Sequence, residues 1–376
     1  MSSFNLTLPI LPIPEGETQD FVVEWEAGDE SSREVFKLVG PVSSPDVSHD
    51  YDSSGVKSIS IYALPDANFG KYWAFGSSGV SGSGLKVISN WGPFEFAENG
   101  GAFVNCASLD ITASDNPAIN YPNSLKEAFM NCMKLSPGVN AFANWDTSLA
   151  ESLEKTFMSC HLFNGSVSSW DVSNVTTTKS MFYEAWAFNQ PFGGWNGSSS
   201  STSNLVDASE MFLGASSFNQ NLSDWNTSSL EKINTMFTST TSFNSPVFQW
   251  DSSTKAIDNI NMLGVFSNSS FNDSSISSWN VSNVKNLSSV FHNASSFNQD
   301  ISSWNTSSAV NTSSMLKGAS SFNQDLSNWD VDQVTLADGM LEGAGLSEQT
   351  VSDIAANWAG QGGAAAEEAA EEAVLQ

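Results

Sequence analysis

Basic charge is what this sequence has least of. Its 13 Lys+Arg stand against 41 Asp+Glu, giving a formal net charge of −28, and Arg33 is the only arginine. Nucleic-acid binding needs Lys and Arg to neutralise phosphates, so this balance excludes it, and an anionic membrane surface repels the chain for the same reason. No run approaches the roughly 20 consecutive apolar residues of a membrane-spanning helix, so no membrane insertion is expected. Met1 to Gly16 has neither a basic start nor a sustained apolar stretch, and no signal peptide is expected. Histidine is scarce too: His49, His161 and His292 lack the spacing of a metal site. There is no Gly-x-Ser-x-Gly, no phosphate-binding loop ending in Lys-Ser/Thr and no dinucleotide fingerprint; the Gly-x-Gly within Gly76 to Gly84 opens no helix and reads as a surface loop. The expectation is a protein that is not an enzyme, with no catalytic residues, cofactor or metal.

Seven times between Phe163 and Trp329 the chain repeats a Phe-Asn pair followed seven or eight residues later by tryptophan, most often at a period of 25 residues. The pairs begin at Phe163, Phe188, Phe218, Phe243, Phe271, Phe297 and Phe322, and are answered by Trp170, Trp195, Trp225, Trp250, Trp279, Trp304 and Trp329. A fixed period of this size marks a solenoid, whose coils bury their apolar faces only by stacking on one another. A second set of anchors, Phe103, Phe129, Phe157, Phe182, Phe212, Phe237, Phe266, Phe291, Leu316 and Leu341, extends the count to about ten coils. The few cysteines, Cys106, Cys132 and Cys160, each follow an anchor by three residues, where later coils place Ala185, Ala215, Thr240 and Ser269. They are therefore read as buried core thiols rather than redox or metal ligands.

Residues 1–90 lack the repeat. Phe21 to Trp25 and Lys57 to Tyr62 have the short apolar alternation of strands, which suits a small antiparallel β-sandwich that mounts the array. Residues 91–345 form the array, 346–360 a helical cap with Ser347 as N-cap, and 361–376 a flexible Ala/Glu tail. Period-breaking insertions are expected as loops near Ser198 to Thr202 and Lys255 to Asn259.

Two resemblances follow from these residues. Coils such as Ser168 to Thr176 and Ala294 to Trp304, with Trp91-Gly92-Pro93 before and Trp358-Ala359-Gly360 after, resemble the BspA-type leucine-rich-repeat family of surface proteins. That resemblance implies a right-handed leucine-rich-repeat solenoid with a sheet on one face and a role in adhesion or recognition; it brings no shared ligand motif. His49-Asp50-Tyr51 through Gly55 to Ile59 resembles the closing hairpin of polycystic-kidney-disease-type β-sandwiches.

The recurring asparagines Asn164, Asn189, Asn219, Asn244, Asn272, Asn298 and Asn323 predict an asparagine ladder, each amide bonding the backbone of adjacent coils. The column is expected to be buried and paired throughout, so that replacing Asn219 by Leu costs kilocalories. The Trp-adjacent column Asp146, Asp171, Asp251 and Asp330 alternates with Asn196, Asn226, Asn280 and Asn305, a pattern of turn-forming residues rather than paired catalytic carboxylates. The expected function is a non-enzymatic structural or recognition protein on a particle or cell surface, favoured as a virion decoration or fibre component of a marine virus. A secreted bacterial or protist adhesin and a carbohydrate-binding module are the alternatives. Expected partners are proteins of a larger assembly or host surface molecules, with homo-oligomerisation open.

Overall fold

A computed structural model describes five strands among the first 63 residues and then residues 85–370, except 93, 139, 194, 196–200, 252–259, 360, 362–364 and 367. The first strands are β1 (Phe4–Thr7), β2 (Thr18–Glu24), β3 (Arg33–Val39), β4 (Ser48–Tyr51) and β5 (Ser60–Ala63). The Phe21-Val22-Val23 run lies in β2, which pairs antiparallel with β3 on one side and β5 on the other, Phe21 lying opposite both Phe36 and Ala63. β1 pairs antiparallel with β4, Leu6 opposite His49. Of the expected closing hairpin, His49 to Tyr51 lie in β4, and Gly55 to Ile59 lie outside the described residues.

From Leu85 the chain winds into coils that pair only in parallel. β6 (Val87–Ile88) lies against β7 (Asp110–Ile111), and β8 (Ile260–Asn261) against β9 (Val284–Asn286). Single bridges continue the same ladder, Ser152 to Thr177 to Asp207 to Lys232, and Asn286 to Asn311 to Leu336. Pairing thus begins upstream of Trp91, so the stack takes in residues 85–90 that composition had grouped with the mounting domain.

Strand is nevertheless scarce, for a reason the apolar pattern hides. Around each anchor two residues four apart have left-handed backbone: Gly101 and Asn105 flank Phe103, Glu210 and Gly214 flank Phe212, Gly339 and Gly343 flank Leu341, and the other seven coils do the same. In this conformation alternate N–H groups point along the stack. At each of nine junctions three of them donate to carbonyls of the following coil, as Phe212 N–H to Met236 O at 3.0 Å and Gly214 N–H to Thr238 O at 2.8 Å. The intervening N–H groups close turns within their own coil, as Leu213 to Glu210 O at 3.1 Å. Left-handed backbone is costly for residues with a side chain, most of all for a β-branched one such as Thr235, and these regular hydrogen bonds offset that cost.

The interior is a set of aromatic columns. Anchors Phe103, Phe129, Phe157, Phe182, Phe212, Phe237, Phe266 and Phe291 stack face to face at 5.4–5.8 Å. Beside them runs the column of Phe163, Phe188, Phe218, Phe243 and Phe271 at 5.6–6.0 Å, resumed by Phe297 and Phe322 at 5.7 Å. The tryptophans form a third column, with one exchange. Phe248, not Trp250, stacks between Trp225 at 6.1 Å and Trp279 at 5.6 Å, while Trp250 is tilted 57° against Trp279. Identity at the repeat position misled here, because two aromatics two residues apart compete for one place in the column.

The array closes with α1 (Glu348–Trp358). Ser347 caps it, its hydroxyl accepting the Thr350 N–H at 3.1 Å, and Val351, Ile354 and Trp358 are buried on its inner face. The expected flexible tail is corrected in part: Ala366, Ala369 and Ala370 are buried in the same apolar core. Alanine covers apolar surface with little side-chain entropy to lose, so part of a segment expected to be a flexible tail can still pack.

Candidate functional site

The repeating asparagines lie at the corner after each Phe of the second column. Each Oδ1 accepts the backbone N–H of the equivalent residue one coil on: Asn189 to Asn164, Asn219 to Asn189, Asn244 to Asn219, Asn272 to Asn244, Asn298 to Asn272 and Asn323 to Asn298, all at 2.7–2.9 Å. Ser347 N–H ends the series on Asn323 at 3.0 Å. Glutamines one residue further reinforce four rungs, as Gln220 Nε2 to Asn189 Oδ1 at 2.8 Å; sequence reading passed over this Phe-Asn-Gln signal. The ladder is half-buried to exposed rather than buried. Water can therefore replace a lost rung, so Asn219→Leu is expected to lower stability by only about 1 kcal/mol, measured by urea unfolding. A change under a few tenths would show that the rungs contribute nothing.

Most of the repeat tryptophans tie their coil backwards. Trp170 Nε1 donates to Phe142 O, Trp195 to Val167 O, Trp279 to Phe248 O and Trp329 to Ile301 O, at 2.8–3.1 Å. Trp304 donates to Ile276 O at 3.3 Å and Trp358 to Leu326 O at 3.2 Å. Trp250, displaced from the column, reaches Leu230 O instead, and Trp225 Nε1 finds no acceptor.

The Trp-adjacent column makes turns. Asp171, Asn226, Asn280, Asn305 and Asp330 each accept the N–H two residues on, at 2.9–3.1 Å. Asp146 does so with Ser148, taking its hydroxyl at 2.7 Å as well, which holds this carboxyl below its ordinary range. Carboxylate and amide are interchangeable in this role, which accounts for their alternation. Asn196 is outside the described residues. No group of three His, Cys, Asp or Glu among the described residues is placed to hold a metal ion.

Cys106, Cys132 and Cys160 are buried, and none forms a disulfide. Cys132 and Cys160 donate to the carbonyls of Phe103 and Phe129 in the preceding coil at 3.1 and 2.9 Å, the same bond that Thr240 makes to Phe212 O at 2.9 Å. Burial pushes the Cys106 and Cys132 thiols far up, which leaves them neutral and unreactive.

One surface feature escaped the sequence reading. The residue after the small core position is Ser216, Thr241, Ser270, Ser295 and Ser320 in later coils, but Met133, His161 and Trp186 in three consecutive earlier ones. His161 and Trp186 stack at 3.7 Å with 5° between their planes. Trp186 remains 48% exposed, and Met133 in the same column is 44% exposed. The broken rhythm of this column was the available signal.

Three successive matches, over residues 123–201, 197–263 and 254–354, fit the family described as Mycoplasma protein of unknown function, DUF285. The chain belongs to the DUF285 family. This family is associated with BspA-like repeat proteins. Its matches overlap at 197–201 and 254–263, where the insertions interrupt the 25-residue period. No curated protein and no solved structure matches the chain. Among the described residues, no helix is long and apolar enough to cross a membrane.

Proposed function

We propose that this chain is a non-enzymatic structural or recognition protein displayed on the surface of a particle or cell, a virion decoration or fibre component, or else a secreted adhesin. In this reading the stacked coils are a right-handed solenoid of leucine-rich-repeat type, and the N-terminal strands form a sandwich of polycystic-kidney-disease type that serves as mount. The observation that carries it is where the polar side chains go. Asn, Asp and Ser are engaged in rungs and turns that fix one coil on the next, leaving an outer face of repeated hydroxyls and amides. Such a face presents a regular surface to a partner without converging groups for chemistry. Immunogold labelling of intact source particles and cells, with antibody raised against the whole chain, tests the proposal. Gold on the outer surface is the expected result; gold confined to the interior would refute display.

A further inference from the structure

We propose that the outward face of the Trp186 indole, together with the hydroxyl strip that follows it, binds a neutral saccharide. This deepens the recognition role above and rests on it. The rings of His161 and Trp186 lie parallel, so one face of Trp186 is covered by the imidazole and the other is turned toward the next coil. There the equivalent residue is Ser216, too small to cover an indole, and Trp186 is left half exposed.

Beyond that step the strip is chemically uniform. The Ser216 hydroxyl donates to Trp186 O, Thr241 to Ser216 O, Ser270 to Thr241 O and Ser320 to Ser295 O, at 3.4, 3.5, 2.5 and 3.5 Å. The protons of these four hydroxyls are thus directed at the preceding coil, which leaves their oxygen lone pairs free to accept. Whatever lies on the strip has to supply donors. It also needs a flat apolar face for the indole.

A pyranose has both: axial C–H groups on one side and hydroxyl donors around its rim. Its length of about 5 Å is close to the coil step of roughly 4.8 Å, so successive sugars meet successive hydroxyls. Charge selects within the class. A net charge of −28 repels acidic glycans, and Ser216, Thr241, Ser270, Ser295 and Ser320 place no carboxylate in the strip to hold a cationic one. The apolar area beyond His161 is a single ring face, well below the roughly 800 Å² per partner of a stable protein interface.

Native affinity electrophoresis through gels carrying neutral β-glucan, mannan, galactan or xylan is the test. The full chain is expected to be retarded in at least one of them. Trp186→Ser is expected to weaken that retardation at least ten-fold, and Ser216→Ile to do the same by covering the ring with Trp186 intact. Leu149→Ser, at another exposed apolar residue, should leave it unchanged. Failure of retardation in every gel, retardation untouched by both strip variants, or equal loss with Leu149→Ser would each overturn the proposal. Melting temperatures of the variants separate lost binding from lost fold; should Trp186→Ser melt early, Ser216→Ile alone decides. Surface labelling is read independently, so interior gold with retained retardation would remove the display role and leave the saccharide site standing.

Discussion

Phe237→Ala is expected to cost about 3–5 kcal/mol of stability, read from urea unfolding of the full chain. Phe237 is fully buried, stacked on Phe212 at 5.6 Å, on Phe266 at 5.4 Å and on Phe243 at 4.3 Å in the neighbouring column. Its backbone also donates to Val265 O at 2.9 Å. Removing the ring opens a cavity in mid-array, and the coils above and below cannot close it without breaking the three hydrogen bonds that set their spacing. The effect should spread, because each coil's core is completed only by its neighbours. A loss below about 1 kcal/mol would mean that the columns are not one continuous core.

Deleting everything after Ala344 is expected to have the second large effect. It removes the buried Val351, Ile354 and Trp358, the bond from Trp358 Nε1 to Leu326 O and the Ser347 rung on Asn323. It also removes the Gln361 side chain, whose Oε1 accepts the Val331 N–H at 2.9 Å. Leu326, Trp329, Val331 and Val334, now buried, then face water, so the truncated chain should melt well below the full one and associate in size-exclusion chromatography. A monomer of unchanged stability would refute capping by this segment. The shorter deletion from Gln361 onward should lower stability by about 1–3 kcal/mol, since it strips Ala366, Ala369 and Ala370 from the core.

What the sequence made legible was whatever repeats by residue type. Phenylalanine and tryptophan columns announce themselves because only large rings fill a 25-residue coil, and the cap was visible from Ser347 and the 3–4 spacing of Val351, Ile354 and Trp358. The left-handed pairs were hidden because Gly, Asn, Ser, Glu, Lys and Thr all occupy them, the conformation being imposed by stacking rather than by local preference. Phe248 was missed since repeat position, not ring, was matched. The exposure of the Asn219 column was missed because polarity alone does not say whether a corner faces core or water. Trp186 was passed over as one more aromatic among many, although its neighbours in the column are hydroxyls.

The coil-to-coil bonds around the anchors all run in one sense: N–H groups point toward later coils and carbonyls toward earlier ones. Their peptide dipoles therefore add along the stack instead of cancelling as in an ordinary sheet. At the anchors the result is a dipole opposite in sense to that of an α-helix, with its positive end at the last coil, opposed in part by N–H groups elsewhere in the coil that point back, as Thr176 to Glu151 O and Thr335 to Val310 O. There the N–H groups of Gly339, Leu341 and Gly343 have no acceptor among the described residues. Asp338 and Glu342 belong to this last coil and Glu348 to the first turn of the cap helix, so acidic residues follow one another in sequence where the backbone is positive, and Glu342 is also paired with Lys317 at 2.6 Å.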